Sequence, residues 1–208
     1  MIRQIKHRFT DKVIFEAEIP DSIPSGMVDR VLLEQAVAAG ANLTCANLYL
    51  FNLSGANLSA VDLRETDLRA SILRGADMRG AKLQGADTRG NIFSGAELAG
   101  ADFFEARIGS NLSNADVRNA KLRGAILRDG LPLVGERSMI SIGPIGWEQR
   151  TVFGWVTDKG LRVETGCFFG TREDFIKRLH KTHADNIHAK EYLSALAVID
   201  KHFELWGA

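Results

Sequence analysis

ANLTCANLYLFNLSGANLSAVDLRETDLRASILRGADMRGAKLQGADTRG, residues 41–90, repeats every five residues, and that period decides the fold. A large apolar residue returns at Leu43, Leu48, Leu53, Leu58, Leu63, Leu68, Leu73, Met78 and Leu83. Thr88 interrupts the series, which continues at Phe93, Leu98, Phe103 and Ile108. One residue is then missing, and the beat resumes at Leu112, Val117, Leu122 and Leu127. Two places before most of these stands a small residue, as at Ala41, Ala46, Ala56, Ala76, Ala101 and Ala125. A period of five smears an apolar face around an α-helix, and a flat strand needs alternation of two. Five fits if each pentad forms one short extended side and then turns a corner. The large residue and the small one two places before it then face inward, and the residues beside them face out. The frequent Gly two places after the large residue, as at Gly55, Gly75 and Gly80, suits a corner that needs positive φ.

With instances such as ANLTC, ANLYL, ADMRG and ADFFE, residues 41–128 resemble the pentapeptide-repeat family, whose motif is A-(D/N)-L-x-x. That resemblance implies a mainly β fold, a right-handed quadrilateral β-helix with four pentads per coil. At roughly 4.8 Å between stacked strands, about four and a half coils make a rod on the order of 20 Å long. Residues 20 apart should then stack. One inward column reads Phe51, Ser71, Asn91 and, beyond the missing residue, Ser110, which predicts a polar ladder inside the rod. A buried Asn without hydrogen bonds would cost about 1–3 kcal/mol. The missing residue near Gly109 predicts a tightened corner.

The place after the large residue is rich in arginine: Arg64, Arg69, Arg74, Arg79, Arg89, Arg118, Arg123 and Arg128. Arg64, Arg69, Arg74 and Arg79 put one guanidinium on each side of a single coil, a belt suited to a phosphate or acidic partner. Asp62, Asp67, Asp77, Asp87, Asp102 and Asp116 stand two places before several such positions. The plainer reading is a solvated surface of ion pairs worth about 0–1 kcal/mol each. Some members of the family protect DNA gyrase by mimicking duplex DNA. Such mimicry needs a strongly negative rod, and this one is close to neutral, which counts against topoisomerase binding.

An open coil needs covered ends. Residues 1–40 are expected to supply an N-terminal cap, with a strand at 13–19 (VIFEAEI) and a helix at 28–39 (VDRVLLEQAVAA) stopped by Gly40. The coil occupies 41–130. Residues 131–208 form a small α+β domain, read as βββαα, with strands at 138–142, 150–156 and 161–165. Turns are expected at 143–146 (GPIG) and 158–160 (DKG). Thr171 to Asp174 reads as a capping-box start for a helix reaching about His183. A second helix, from about His188 to Trp206, carries the stripe Tyr192, Leu196, Ile199, Phe203 and Trp206. With its GCFFGT and THADN runs, this segment resembles an uncharacterised domain of phage and prophage proteins, which implies a mobile-element origin.

Cys167, His180, His183 and His188 are the candidate metal ligands, since Cys and His bind zinc and His180 and His183 lie one helical turn apart. Their spacing lacks the tight pairs of a zinc knuckle, so a core histidine is the simpler reading of His183. Cys167 with a histidine is a weaker candidate for nucleophilic catalysis.

The chain holds 26 Lys+Arg and 26 Asp+Glu, and the balance is kept within each of the three regions. No field draws nucleic acid or an anionic membrane. Cys45 and Cys167 are too few and too far apart for a disulfide framework. Neither a signal-peptide core nor a membrane span is read. The expectation is a cytoplasmic, non-enzymatic scaffold with a protein partner and no cofactor, with a homodimer as an open alternative. A metal-binding or catalytic activity in the C-terminal module is the other reading.

Overall fold

The computed structural model describes residues 1–135, 138–145 and 150–206, with the backbone alone at Trp206. The chain divides into two compact units, Met1–Asp129 and Gly130–Ala208. Among the described residues no helix is long and apolar enough to cross a membrane.

The first unit is a β-helix. Parallel bridges join Asn47 to Asp67, Asn52 to Ile72, Asn57 to Asp77 and Asp62 to Lys82, so each coil takes twenty residues, or four pentads. Three backbone bonds join each side from Ala46 to Gly100 to the side above it. On one face Leu48 N–H donates to Asp67 O (2.8 Å), Leu50 N–H to Arg69 O (3.1 Å), and Asp67 N–H back to Ala46 O (2.9 Å). Inside, Leu48, Leu53, Leu58, Leu63, Leu68 and Leu73 are fully buried, with Ala46, Ala56, Ala76 and Ala81 beside them. One large and one small side chain per side fill the narrow interior at ordinary packing density.

Each regular corner is a β-turn whose third residue has positive φ, as where Ala56 N–H donates to Leu53 O (3.0 Å) across Gly55 at φ +66. Glycine is not obligatory there. Leu50, Ala60, Glu65, Ala70 and Glu105 hold corners at φ of 62, 57, 58, 55 and 57. The side beginning at Ala106 lacks its left-handed residue: neither Ile108, Gly109 nor Ser110 has positive φ. Across that side the stacking interval is nineteen, joining Ile92 to Asn111, Glu97 to Asp116 and Asp102 to Lys121. The expected tightened corner is therefore one that has lost its turn residue, with Gly90 N–H still donating to Gly109 O (2.8 Å).

The polar column lies inside, but only in part as a ladder. Ser71, Asn91 and Ser110 are buried, and Ser71 N–H donates to Asn91 Oδ1 at 3.1 Å. Ser110 turns away, its Oγ donating to Thr88 O at 2.7 Å. Phe51 is only half-buried.

The N-terminal residues meet the open end of the coil. Strand β1 (Ile2–His7) pairs antiparallel with β2 (Val13–Glu18) and, on its other edge, with β3 (Ala46–Asn47) in the first coil. The reading of 13–19 gave β2; β1 is an addition. Helix α1 (Val28–Ala38) buries Val28, Leu32, Leu33 and Ala36, one helical face. It ends as the sequence predicts: Gly40 takes φ +68 while Gly40 N–H donates to Val37 O and Ala41 N–H to Ala36 O. That pair of bonds is a Schellman cap. First-coil N–H groups have no coil before them, and α1 supplies acceptors instead. Asn52 N–H donates to Asp29 Oδ2 (3.0 Å) and Asn57 N–H to Glu34 Oε1 (3.1 Å).

The second unit carries a four-stranded antiparallel sheet in the order β4-β5-β6-β7. These are β4 (Met139–Ile145), β5 (Arg150–Thr157), β6 (Gly160–Thr165) and β7 (Phe168–Thr171). The βββαα reading is thus one strand short, because β7 lies in the GCFFGT run. Gly143, Pro144 and Ile145, expected as a turn, stay in β4 with a bulge between Ile142 and Ile145, and Gly146 lies outside the described residues. Helix α2 (Arg172–His183) starts where the capping signal placed it, with Asp174 N–H donating to Thr171 Oγ1 (3.2 Å). Helix α3 (Ile187–Trp206) lays Tyr192, Leu196 and Ile199 into a core with Val152, Val163, Phe175 and Leu179, and Phe203 packs against it. The side chain of Trp206, the last of the expected stripe, lies outside the described residues. Gly154 lets α3 approach β5 closely: a Cβ there would lie 2.4 Å from Ile199 Cγ2.

Candidate functional site

Aspartate at the second place of a pentad and arginine at the fourth interlock. Asp67 Oδ1 accepts the backbone N–H of Arg69 (3.1 Å) and its Nε–H (2.8 Å), and Oδ2 accepts Nη2–H (2.6 Å). The same arrangement recurs in Asp77–Arg79, Asp87–Arg89 and Asp116–Arg118, and in Asp62–Arg64. Where asparagine takes the second place, a short hydroxyl takes the fourth at Thr44, Ser54, Ser59 and Ser113, with Tyr49 the exception: Asn52 Oδ1 accepts from Ser54 N (3.2 Å) and Ser54 Oγ (2.8 Å). The hydrogen bond from the Arg118 side chain, reinforced by its backbone N–H, lowers the Asp116 carboxyl to about 2. Burial alone would raise Asp67 and Asp87. Hydrogen bonds and charge from Arg69 and Arg89 outweigh it and hold both below the usual carboxylate range.

This geometry changes what the arginine belt offers. Arg64, Arg69 and Arg79 are each clamped by their own aspartate, and Arg79 also meets Glu97 at 3.2 Å. Arg74 is the exception, exposed and preceded by Ile72 where the other three have Asp. The four are not equivalent cations.

Arginines gather on one face, the side formed by residues 46–50, 66–70, 86–90 and 106–109, where Arg8 and Arg107 join Arg69 and Arg89, which Asp67 and Asp87 clamp. Arg8, Arg69, Arg89 and Arg107 line a groove of about 390 Å³ there, with Glu65, Asp87 and Phe9. Arg8 Nη1–H donates to Glu65 O (2.7 Å). The Glu65 carboxylate lies over Gly85, where a Cβ would clash with it. Arg107 occupies the second place of the shortened side, where Asp67 and Asp87 stand in the coils before it. Its guanidinium has no hydrogen-bond or ion-pair partner among the described residues. Phe9 (69% exposed) and Leu50 (61%) add apolar surface, and Tyr49 lies under Arg69, 5.5 Å from ring centroid to Cζ. Arg107 is missed by a reading that counts only fourth-place arginines. The signal was present, as a cation in the column of aspartates.

In the second unit, Cys167 and His183 line one pocket of about 340 Å³, whereas His180 and His188 are not among its lining residues. His180 Nδ1 lies 3.6 Å from Asp185 Oδ1, and His188 Nδ1 lies 3.3 Å from Glu191 Oε2. The His183 ring stacks on Tyr192, with centroids 6.1 Å apart and planes at 24°. Among the described residues, no group of three or more His, Cys, Asp or Glu is arranged to hold a metal ion. The same pocket is lined by Arg150, Thr165, Phe168, Phe175 and Arg178, which spacing arguments aimed at Cys and His pass over.

A family model described as pentapeptide repeats (8 copies) matches residues 52–90, 71–109 and 108–129. Among solved structures, the chain is 32% identical to the pentapeptide repeat protein alr5209 from Nostoc Pcc 7120, over 48% of this chain and 80% of that one (TM-score 0.41). It is 33% identical to the pentapeptide repeat protein Rfr23 from the cyanobacterium Cyanothece 51142, over 38% of this chain and 54% of that one (TM-score 0.23). A third likeness, at 30% identity, is to QnrB1, a plasmid-mediated fluoroquinolone resistance protein, over 34% of this chain and 36% of that one (TM-score 0.24). No curated protein matches the chain.

Proposed function

Because this chain belongs to the pentapeptide-repeat family, we propose that it is a non-enzymatic interaction protein whose coil binds an acidic, partly apolar segment of a protein partner. The observation that carries this reading is the groove of Arg8, Arg69, Arg89 and Arg107 beside exposed Phe9 and Leu50. Four pentads between stacked residues support a right-handed, four-sided coil, which presents that face as a flat, rigid wall. Arginine and exposed aromatic residues are the side chains that anchor protein interfaces most often. Carboxylates on the partner would meet Arg107, and apolar side chains would meet Phe9 and Leu50. The clamped Asp–Arg pairs elsewhere offer neither free charge nor apolar area. They also deny the coil the uniform negative surface that a mimic of DNA needs, which favours this reading over a topoisomerase partner.

The GCFFGT and THADN runs support a phage-derived origin for the C-terminal unit, and the two free cysteines agree with a reducing, cytoplasmic setting. Genes for phage structure or lysis beside this one would bear on that origin.

A photo-crosslinking residue placed at Tyr49, and separately at Ser59 on another side, tests the reading in living cells. Adducts to one and the same protein are expected from position 49 only, and Arg107→Glu should abolish them. Adducts of equal yield from both positions, or none from position 49, would overturn it. Purified gyrase whose supercoiling is inhibited by the protein would favour the topoisomerase partner instead.

A further inference from the structure

We propose that the pocket of the C-terminal unit is a binding site for a small organic oxyanion, a flat apolar body carrying one carboxylate or phosphate group. Three independent features of the pocket point to that chemistry. First, its charge has one sign. Arg150 and Arg178 line it, and no carboxylate is among its described lining residues. Planar guanidinium groups match carboxylate and phosphate oxygens in pairs.

Second, Thr165 lines the pocket at 8% exposure, and its Oγ1 is buried without a hydrogen-bond partner among the described residues. Buried hydroxyls are ordinarily satisfied, so an orphan on a pocket wall points to a ligand oxygen as its partner. Third, much of the remaining wall is aromatic. Phe168 and Phe175 lie 5.3 Å apart, Phe175 meets Tyr192 edge-on at 6.1 Å, and Arg178 sits over Phe168 at 5.9 Å. A volume of about 340 Å³ is at the small end of ligand sites and holds a single ring with its acid group.

The local backbone serves the site. Thr165 pairs with Phe168 across a two-residue turn, Gly166–Cys167, and Gly166 takes φ +54 as its first central residue. A Cβ on Gly166 would fall 1.6 Å from Arg150 Nη1, so the glycine leaves room for the guanidinium at the pocket's edge.

The test is ligand-observed NMR and calorimetry on the full chain with four probes: benzoate, phenyl phosphate, benzylamine and inorganic phosphate. Saturable binding of benzoate, phenyl phosphate or both is expected, and which of them binds names the head group. Benzylamine should not bind, and inorganic phosphate should bind at least about tenfold more weakly, lacking the apolar contact. Thr165→Val keeps the shape and removes only the hydroxyl, and should weaken binding about tenfold. Because that hydroxyl makes no hydrogen bond to another described residue, Thr165→Val should leave the thermal midpoint of the free protein unchanged. Arg178→Gln, at an exposed position, should weaken binding by a similar factor. Absence of saturable binding by both aromatic anions would overturn the proposal. So would benzylamine binding as well as benzoate, or affinities untouched by both substitutions.

Discussion

The backbone N–H of Ser71 donates to Oδ1 of Asn91, 3.1 Å away and one coil further along the interior. The same N–H also reaches Leu68 O at 3.2 Å, so the amide oxygen is a second acceptor, while Asn91 Nδ2 has no partner among the described residues. An amide in a tube built for alanine is therefore held by one shared bond.

Replacing Asn91 by Asp keeps the shape and buries a carboxylate with a single shared donor. The variant should lose about 3 kcal/mol or more at neutral pH. Asn91→Ala, which removes the orphan donor along with the acceptor, should stay within about 1 kcal/mol of the parent. Urea unfolding of the two variants at pH 7 separates these outcomes.

Asp87 is 5% exposed and accepts hydrogen bonds from both the backbone and the side chain of Arg89. Asp87→Ala should lower stability by roughly 1–3 kcal/mol. Arg89→Gln should lower it less, because the backbone bond survives. Parallel denaturant melts give the comparison.

Acid should act on the coil late. Asp62, Asp67, Asp77, Asp87 and Asp116 all lie below the ordinary range in the folded chain, Asp116 at about 2. An unfolded Asp titrates near 3.9, so the folded chain binds fewer protons than the unfolded one below about pH 5. The stability these groups contribute is fully present above that range and is lost as pH falls toward 2. Thermal midpoints should hold level from pH 7 to about 5 and then fall. Asp116→Asn should flatten the fall, and circular dichroism melts across the series would show it.

At the corners, Ala70 is held at φ +55 and Gly75 at φ +63, and a Cβ at 75 would meet nothing within 4 Å. Left-handed backbone disfavours alanine over glycine by about 1 kcal/mol. Ala70→Gly should therefore stabilise by about 0.5–1 kcal/mol, and Gly75→Ala should destabilise by about 1 kcal/mol. Opposite shifts in calorimetric midpoint are the expected result, and shifts of the same sign would contradict the corner assignment.

The coil was legible because its period is set by packing: Leu in and Ala in, twenty residues later again. The pair Asp67–Arg69 was half legible. Its charges were evident, but the backbone bond that locks the carboxylate depends on a turn conformation, which charge spacing does not encode. Strand β1 escaped notice because it buries only Ile5, so alternation is absent from its sequence. Strand β7 escaped because four half-buried residues, one of them glycine, resemble a turn. The pocket of Thr165 and Arg178 was hidden for a different reason. Its residues come from strand, turn and two helices, and no local pattern joins them.

The change of interval from twenty residues to nineteen at the shortened side also bears on how such a chain can grow. Before that side, any twenty-residue segment can be duplicated or excised and the joined ends still fall on the same face. Coil length is thus quantised, and surface patches keep their compass bearing when whole turns are added. Only the turn that spans Gly109 takes nineteen, so a twenty-residue segment excised or copied across it would shift every later side chain off its face. The missing corner residue acts as an index mark, fixing which coils are interchangeable and which are not.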